Sequence, residues 1–370
     1  MTRVLLATVR LLEFFEGAGH FWVYMQYAQA LRQLGCEVYL LDSSIWSDHS
    51  PDEHRVREFR DRMARYGLED RVMLAGNGVR HAEPGLSDLL DEVDLLLNFN
   101  YHLSPEVVSA VRRSALVDID PGLLQFWISR GFISPAAHDL YFTTGETVAN
   151  GSDLIPDCGL EWVPIRPPVY LDLWPYTRGA GADAFTTVSS WWGERDYVGD
   201  PESYYDNTKR TAFLEFIDLP RHTEQPLELA LFLADSDRAD RRSLEDRGWR
   251  VRHSRDVAGS PEQYRAYVQS SRGEFSWAKA SCVKFQNAWI SDRSLCYLAS
   301  GKPVVVQHTG PSSCLPDGEG IFRFRTLADA AQAFDSINAD YERQCRLARN
   351  LAEQHFDAEV VVSRLLERAL

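Results

Sequence analysis

The sequence predicts an α/β protein built as two doubly wound halves, and three observations carry that prediction. Short apolar runs rich in β-branched residues alternate with helical patterns along the chain, the arrangement that gives parallel sheets covered on both faces. A proline-rich, irregular stretch, DCGLEWVPIRPPVYLDLWP at 157–175, interrupts that alternation and reads as a linker. The 370 residues are long for one core and comfortable for two.

The first half opens on Arg3 to Val9, an apolar strand, followed by a loop through Gly17-Ala18-Gly19-His20. A helix is expected over 21–34, with Val23, Tyr27, Ala30, Leu31 and Leu34 on one side and Gly35 closing it. Residues 37–41 return as a strand, which completes a βαβ unit with a glycine loop at its turn. The loop lacks the third glycine of the dinucleotide fingerprint. Residues 48–70 are charge-rich and helical, a solvated face. VDLLLNF, within 91–99, reads as a buried strand ending at Asn98-Phe99-Asn100-Tyr101-His102. Ser104-Pro105-Glu106 opens a helix, because serine caps and proline fits the first turn. A strand over 115–119 ends in Asp118-Ile119-Asp120-Pro121-Gly122, and DLYFTTGE closes on Gly145-Glu146. These strand ends are expected along one edge of the first sheet.

The second half begins with a strand at 184–188, leading into Trp191-Trp192-Gly193. A helix over 209–219, a strand over 227–233 and a polar helix over 237–247 follow, and another strand starts at Gly248. Ser260-Pro261-Glu262-Gln263 is a capping box, and residues from 327 onward form amphipathic helices. The most informative stretch is 270–310. Ser291 caps a helix whose first turn is Asp292-Arg293-Ser294, with Leu295, Leu298 and Ala299 on its apolar face. Gly301 ends it, Lys302-Pro303 cannot continue it, and Val304-Val305-Val306 is a buried strand. Gln307-His308-Thr309-Gly310 then lies at a strand's carboxyl end, where open α/β sheets keep ligands. A helix start with free N–H groups, hydroxyls and an arginine suits a diphosphate, and a surface helix leading into a core strand is the plainer reading.

Charge and motif content narrow the function classes. The formal charge of −15 argues against a nucleic-acid footprint, which needs clustered excess Lys and Arg. No apolar run is long enough for a membrane span, and MTRVLLATVRLLEFFEG reads as a first strand rather than a signal peptide, so a cytoplasmic protein is expected. The cysteines at 36, 158, 282, 296, 314 and 345 form no C-x-x-C pair, and H-E-x-x-H, Walker A and G-x-S-x-G are absent. Asp118-Ile119-Asp120 is a D-x-D, which either holds a divalent ion, serves acceptor binding or base chemistry, or caps a turn. Trp191 and Trp192 either stack on a sugar or base or fill core.

Helix, then ASGKPVVV, then a glycine-containing loop resembles the nucleotide-sugar half of GT-B glycosyltransferases. EFSWAK, WISDRSLCYLASGKPVVVQHTG and LPDGEGIF together look like the bacterial group 1 (family 4-like) glycosyltransferases allied to spore-maturation glycosyltransferase-like proteins. The sequence departs from that pattern where many retaining members carry glutamates, with Cys296 and Ala288 in those places. The resemblance implies two Rossmann-like domains facing across a cleft: an acceptor domain at 1–175, a donor domain at 176–345, and a helix at 346–370 packing back on the first. It implies transfer from a nucleotide-diphosphate sugar, with UDP as the expected nucleotide, to a small-molecule or glycan acceptor, without metal or further cofactor, in a monomer or homodimer. The expected catalytic residues are His20, Asp120 and Glu274. The donor side is expected to use Trp191, Trp192, Lys209, Arg210, Arg272, Lys279, Ser291, Asp292, Arg293, Ser294, Thr309 and Gly310, with Arg293 a forked phosphate ligand. The acceptor side is expected to use Gly19, Asn100, His102, Asp118 and His138. Two alternatives stay open, a catalytically silent GT-B-like binding module and a nucleotide-sugar epimerase, which donor hydrolysis and the reaction product separate.

Overall fold

Val4, Leu5, Leu6 and Ala7 are all buried, as a strand covered on both faces requires. They belong to β1 (Arg3–Val9). The computed structural model describes residues 1–15, 17–43, 52–75, 82–178, 181–192, 197–198 and 204–370. After β1 come α1 (Ala18–Gln33), β2 (Glu37–Ser43), α2 (Glu53–Ala64), β3 (Val72–Ala75), α3 (Leu86–Glu92) and β4 (Leu95–Asn98). The same half continues with α4 (Pro105–Ala110), β5 (Ser114–Asp118), α5 (Leu123–Ser129), β6 (Leu140–Thr143), α6 (Glu146–Ala149) and β7 (Trp162–Pro164). The strands form one parallel sheet in the order β3-β2-β1-β4-β5-β6-β7, so the winding reverses between β1 and β4. Of the charge-rich stretch expected at 48–70, residues 48–51 lie outside the described residues.

The second half contributes β8 (Phe185–Ser190), a two-stranded ribbon of β9 (Tyr197–Val198) and β10 (Tyr205–Asp206), then α7 (Lys209–Leu214), β11 (Leu227–Phe232), α8 (Arg238–Glu245) and β12 (Arg250–His253). It goes on with α9 (Ser254–Ala258), α10 (Pro261–Ser270), β13 (Gly273–Ser276), α11 (Ala280–Phe285), α12 (Asp292–Ala299), β14 (Val304–Gln307), β15 (Ile321–Phe324), α13 (Leu327–Ala339) and α14 (Tyr341–Leu351). Its parallel sheet has the order β12-β11-β8-β13-β14-β15, reversing between β8 and β13. Those two strands pair only at Phe185–Gly273 and Thr186–Glu274, so their carboxyl ends part. Glycine permits even that approach, since a Cβ at Gly273 would lie 2.2 Å from the Phe185 ring. An aromatic core including Phe213, Trp249, Phe275 and Phe324 fills one side of the sheet.

The chain divides into two compact units, residues 1–170 with 358–370, and residues 171–357. That division falls ahead of the 175/176 boundary read from sequence, and 346–357 stay with the second unit because α14 packs against α12. A π-helical turn at Ala352–Phe356 leads to α15 (Ala358–Ala369), which packs on α1. Within the stretch taken as irregular linker, Trp162–Pro164 is the edge strand β7, a place where proline costs no ladder bond.

Candidate functional site

The sequence around Ser291 builds a helix start that opens on a pocket. Ser291 Oγ accepts the Arg293 N–H at 3.3 Å, and α12 runs from there to Ala299. The pocket lies at the carboxyl ends of β13 and β14 and is lined by Ser276, Trp289, Ser291, Ser294, Thr309 and Arg323, among others. Ser294 is fully buried, and its hydroxyl has no hydrogen-bond partner. A buried, unmatched hydroxyl in the first turn of a helix is a group waiting for an acceptor. The floor is made where two loops cross. The Ala288 N–H donates to the Thr309 carbonyl at 2.9 Å, and Thr309 Oγ1 donates to the Trp289 carbonyl at 2.6 Å. Gly310 has φ +136°, and a Cβ there would meet the Gln286 carbonyl oxygen at 2.4 Å. Gln286 and Ala288 are themselves left-handed, at φ 48° and 57°. Non-glycine residues carry that geometry at a cost, and it gathers at functional sites.

Arg293 stands differently from its expected role. Its Nε donates to Glu274 Oε1 at 2.6 Å, and its Nη1 donates to the Val188 carbonyl at 3.0 Å, in the gap where β8 and β13 part. Burial works against its charge, and the Glu274 carboxylate together with Tyr264 and Tyr297 more than offsets this, so the guanidinium sits above its usual value. Glu274 is completely buried. The two residues pair with each other instead of standing open as the expected phosphate ligand and catalytic carboxylate, and Glu274 Oε2 is buried without a hydrogen-bond partner.

Arg272 is also corrected. It precedes β13, at the amino end of the sheet, where it donates to Asn338 Oδ1 and stacks over Tyr341. Trp191 is fully buried against Phe213, with Nε1 donating to Asp240, so it is core and offers no stacking face. Trp192 is 42% exposed, donates to Asp237 and lies beneath the Arg210 guanidinium, which forms a two-pronged ion pair with Asp240. Gly193 lies outside the described residues. Lys209 starts α7, and its carbonyl accepts Trp277 Nε1; Lys279 precedes α11, and Asp292 opens α12.

In the first unit the expected residues other than His138, which precedes β6, gather at the carboxyl edge of the sheet, with unequal freedom. His20 Nε2 lies 2.5 Å from the Val9 carbonyl, and its ring is edged by Phe14 and Tyr24. Gly19 lies in the first turn of α1. Asn100 and His102 follow β4 in a turn held by Asn98 and Asn100 side chains, with His102 exposed. Asp120 is half-buried beyond β5. Asp118 is corrected: it is buried and takes hydrogen bonds from Gln125 Nε2, Thr143 Oγ1 and the Asp120 N–H at 3.0, 2.7 and 2.9 Å. Desolvation raises its pKa to about 7 against the first two of those bonds. His138 is likewise structural, with Nδ1–H directed to the Ala136 carbonyl and Nε2 accepting from Asn98, and burial lowers its pKa.

Sequence reasoning passed over Ser276, Trp289 and Arg323, and it placed Gln307 at a strand's carboxyl end without giving it a role. Gln307 Oε1 accepts the Ala278 N–H and so ties the end of β14 to the loop after β13. Position at a strand's carboxyl end was the available signal for Ser276 and Gln307. Trp289 and Arg323 carried none, because the loop crossing that brings them in is non-local.

No protein-family profile matches the chain, and no curated protein matches it by sequence. Solved structures do match in fold. A glycosyltransferase from Rickettsia africae ESF-5 is 11% identical with a TM-score of 0.57, over 100% of this chain and 97% of that one. An α-glucosyltransferase in complex with UDP-glucose and DNA containing an abasic site is 11% identical with a TM-score of 0.62, over 99% of each chain. HepE of Anabaena in complex with UDP-glucose is 13% identical with a TM-score of 0.60, over 100% of this chain and 99% of that one. With its parallel sheets of seven and six strands, this chain has the GT-B type of α/β fold, matching those structures over nearly their whole length.

Proposed function

We propose that this protein is a glycosyltransferase that takes its sugar from a nucleotide-diphosphate sugar, with the second unit as the donor side and the first as the acceptor side. The observation that carries the reading is the buried, unmatched Ser294 hydroxyl in the first turn of α12, lining the pocket beside the N–H groups of that turn. Helix amino ends attract phosphate through those N–H groups and the helix dipole. The neighbours with UDP or UDP-glucose bound make UDP the nucleotide to try first. The group 1 and spore-maturation alliance read from sequence, a cytoplasmic setting, a metal-independent reaction and a small-molecule or glycan acceptor belong to the same proposal. His20 and Asp120 are its candidates for acceptor-side base.

Calorimetry with UDP and uridine tests the donor site. UDP should bind and uridine bind far more weakly, and Ser294→Ala should weaken UDP by about 0.5–1.5 kcal/mol, one neutral hydrogen bond. Equal affinity for UDP and uridine would put the diphosphate elsewhere. UDP release from UDP-sugars should survive EDTA. Loss with recovery on manganese would overturn metal independence. One neighbour was solved with DNA, so duplex DNA belongs among the acceptors tried, and the acidic charge predicts no transfer to it. A second reading, a binding module without turnover, draws on one observation: no carboxylate lines the pocket among the described residues. UDP binding without any release of UDP from UDP-sugars would favour it.

A further inference from the structure

Beyond α12, a cationic group stands on the outer strands of the same unit. Side chains alternate along a strand, so Ile321, Arg323 and Arg325 share one face of β15 and its continuation, while Phe322 and Phe324 go to the core. Val306 and His308 share the corresponding face of β14 and its end. Val306, Ile321 and Arg323 line the pocket, which puts Arg325 and His308 farther out on the pocket's side of the sheet. Arg323 Nη1 is fixed by the Pro316 carbonyl at 2.7 Å. Arg325 forms no ion pair among the described residues, and its Nη2 lies 2.7 Å from His308 Nε2. The Gly310 N–H points at the other ring nitrogen, Nδ1, at 3.2 Å.

That arrangement has one donor too many. A neutral imidazole offers one lone pair and one N–H, so either Arg325 or Gly310 faces a second donor. Protonating the ring removes the remaining acceptor. Burial and the charges of Arg325 and Arg323 hold His308 below its ordinary pKa, with Asp317 acting the other way. A ligand anion placed beside Arg325 and His308 Nε2–H would accept from both.

We propose that the donor sugar carries a carboxylate and that Arg325 and His308, with Arg323 beside them, bind it: the substrate class is a nucleotide-linked uronic acid. This rests on the donor reading above. Ser291 and Ser294 of α12 and Arg323 of β15 line one pocket, and Arg325 and His308 stand beyond that lining. A diphosphate held at the first turn of α12 can meet Arg323 there, which leaves Arg325 and His308 for a second anion. Base and ribose are uncharged, so the sugar is the part of the donor able to bring a second anion.

Calorimetry on the full chain with UDP, UDP-glucose and UDP-glucuronic acid tests this. The parent should prefer UDP-glucuronic acid over UDP-glucose by at least about tenfold, a charged hydrogen bond's worth. In Arg325→Ala the ratio should fall toward one. Arg325→Gln repeats the measurement if the alanine variant loses its circular dichroism spectrum. Binding of UDP and UDP-glucose without preference for the uronate overturns this inference and leaves the donor reading standing, as does a preference that Arg325 variants retain. Binding of none of the three overturns both.

Discussion

Asp118 has its carboxylate oxygens enclosed by Gln125, Thr143 and the Asp120 N–H, and its pKa in the fold is about 7. An unfolded aspartate titrates near 3.9, roughly three units lower. The folded state therefore holds the proton more tightly, so this group's stabilisation is complete below about pH 4 and is lost as pH rises through about 7. The loss is on the order of 4 kcal/mol in total. Urea unfolding between about pH 4 and 7 should show stability falling across that window and levelling above it, and Asp118→Asn should flatten the slope. An equal slope in the variant would remove Asp118 as its source. At the pocket floor, Gly310→Ala should destabilise by on the order of 2 kcal/mol or more, having both a positive φ and a carbonyl in its way. Ala288→Gly should do the opposite. Relief of a left-handed alanine, roughly 1–2 kcal/mol, exceeds the added unfolded-state entropy of roughly 0.4–1 kcal/mol. Thermal melts of the two variants moving in the same direction would contradict this account. Ser291 and Gly301 were legible in the sequence because capping and left-handed termination are local backbone demands. The fate of Trp191 or Asp118 was not, since burial depends on which distant strands close over them.

Helix α12 was the element most readable from sequence, from its serine cap to the strand after its glycine. What lay beneath it was not readable. β13, with the sequence GEFS, carries one apolar side chain and a buried glutamate, so it offers neither alternation nor an apolar run. Only the parting of β8 and β13 explains why an arginine and a glutamate are inside. Arg293 satisfies a carbonyl that β13 leaves unpaired and neutralises Glu274 at the same point. Removing one partner of a buried pair strands the other charge, so Arg293→Ala should destabilise the chain by about 3–5 kcal/mol. Arg293→Met combined with Glu274→Leu should recover most of that loss, because the desolvated charge is gone from both sides. Urea unfolding checks the pair. A single variant as stable as the parent, or a double variant no better than the single, would show that the ion pair does not hold this helix.

At the scale of the whole chain, both termini belong to the first unit, and residues 171–357 are spliced between Tyr170 and Ala358. Alternation and a proline-rich break suggested two halves in series, and the resemblance to GT-B enzymes implied a helix returning to the first. The identity of the returning segment depends on which helix face finds a partner. In α15, Val361, Val362, Leu365 and Ala369 are buried, and the Arg113 guanidinium donates to the Ala369 carbonyl at 3.3 Å. Burying several such side chains contributes on the order of 5 kcal/mol, comparable with the net stability of a whole domain. A chain ending at Asp357 should therefore lose the first unit's stability while keeping the second unit's sheet, helix α12 and its pocket. Hydrogen exchange on that truncated chain should show protection lost in β1, β2 and β4 and retained in β8, β13 and β14. UDP binding should persist if the donor site lies wholly in residues 171–357, as proposed. Loss of protection in β13 and β14 along with β1 would mean that the second unit does not fold without its neighbour, and the division of labour would have to be redrawn.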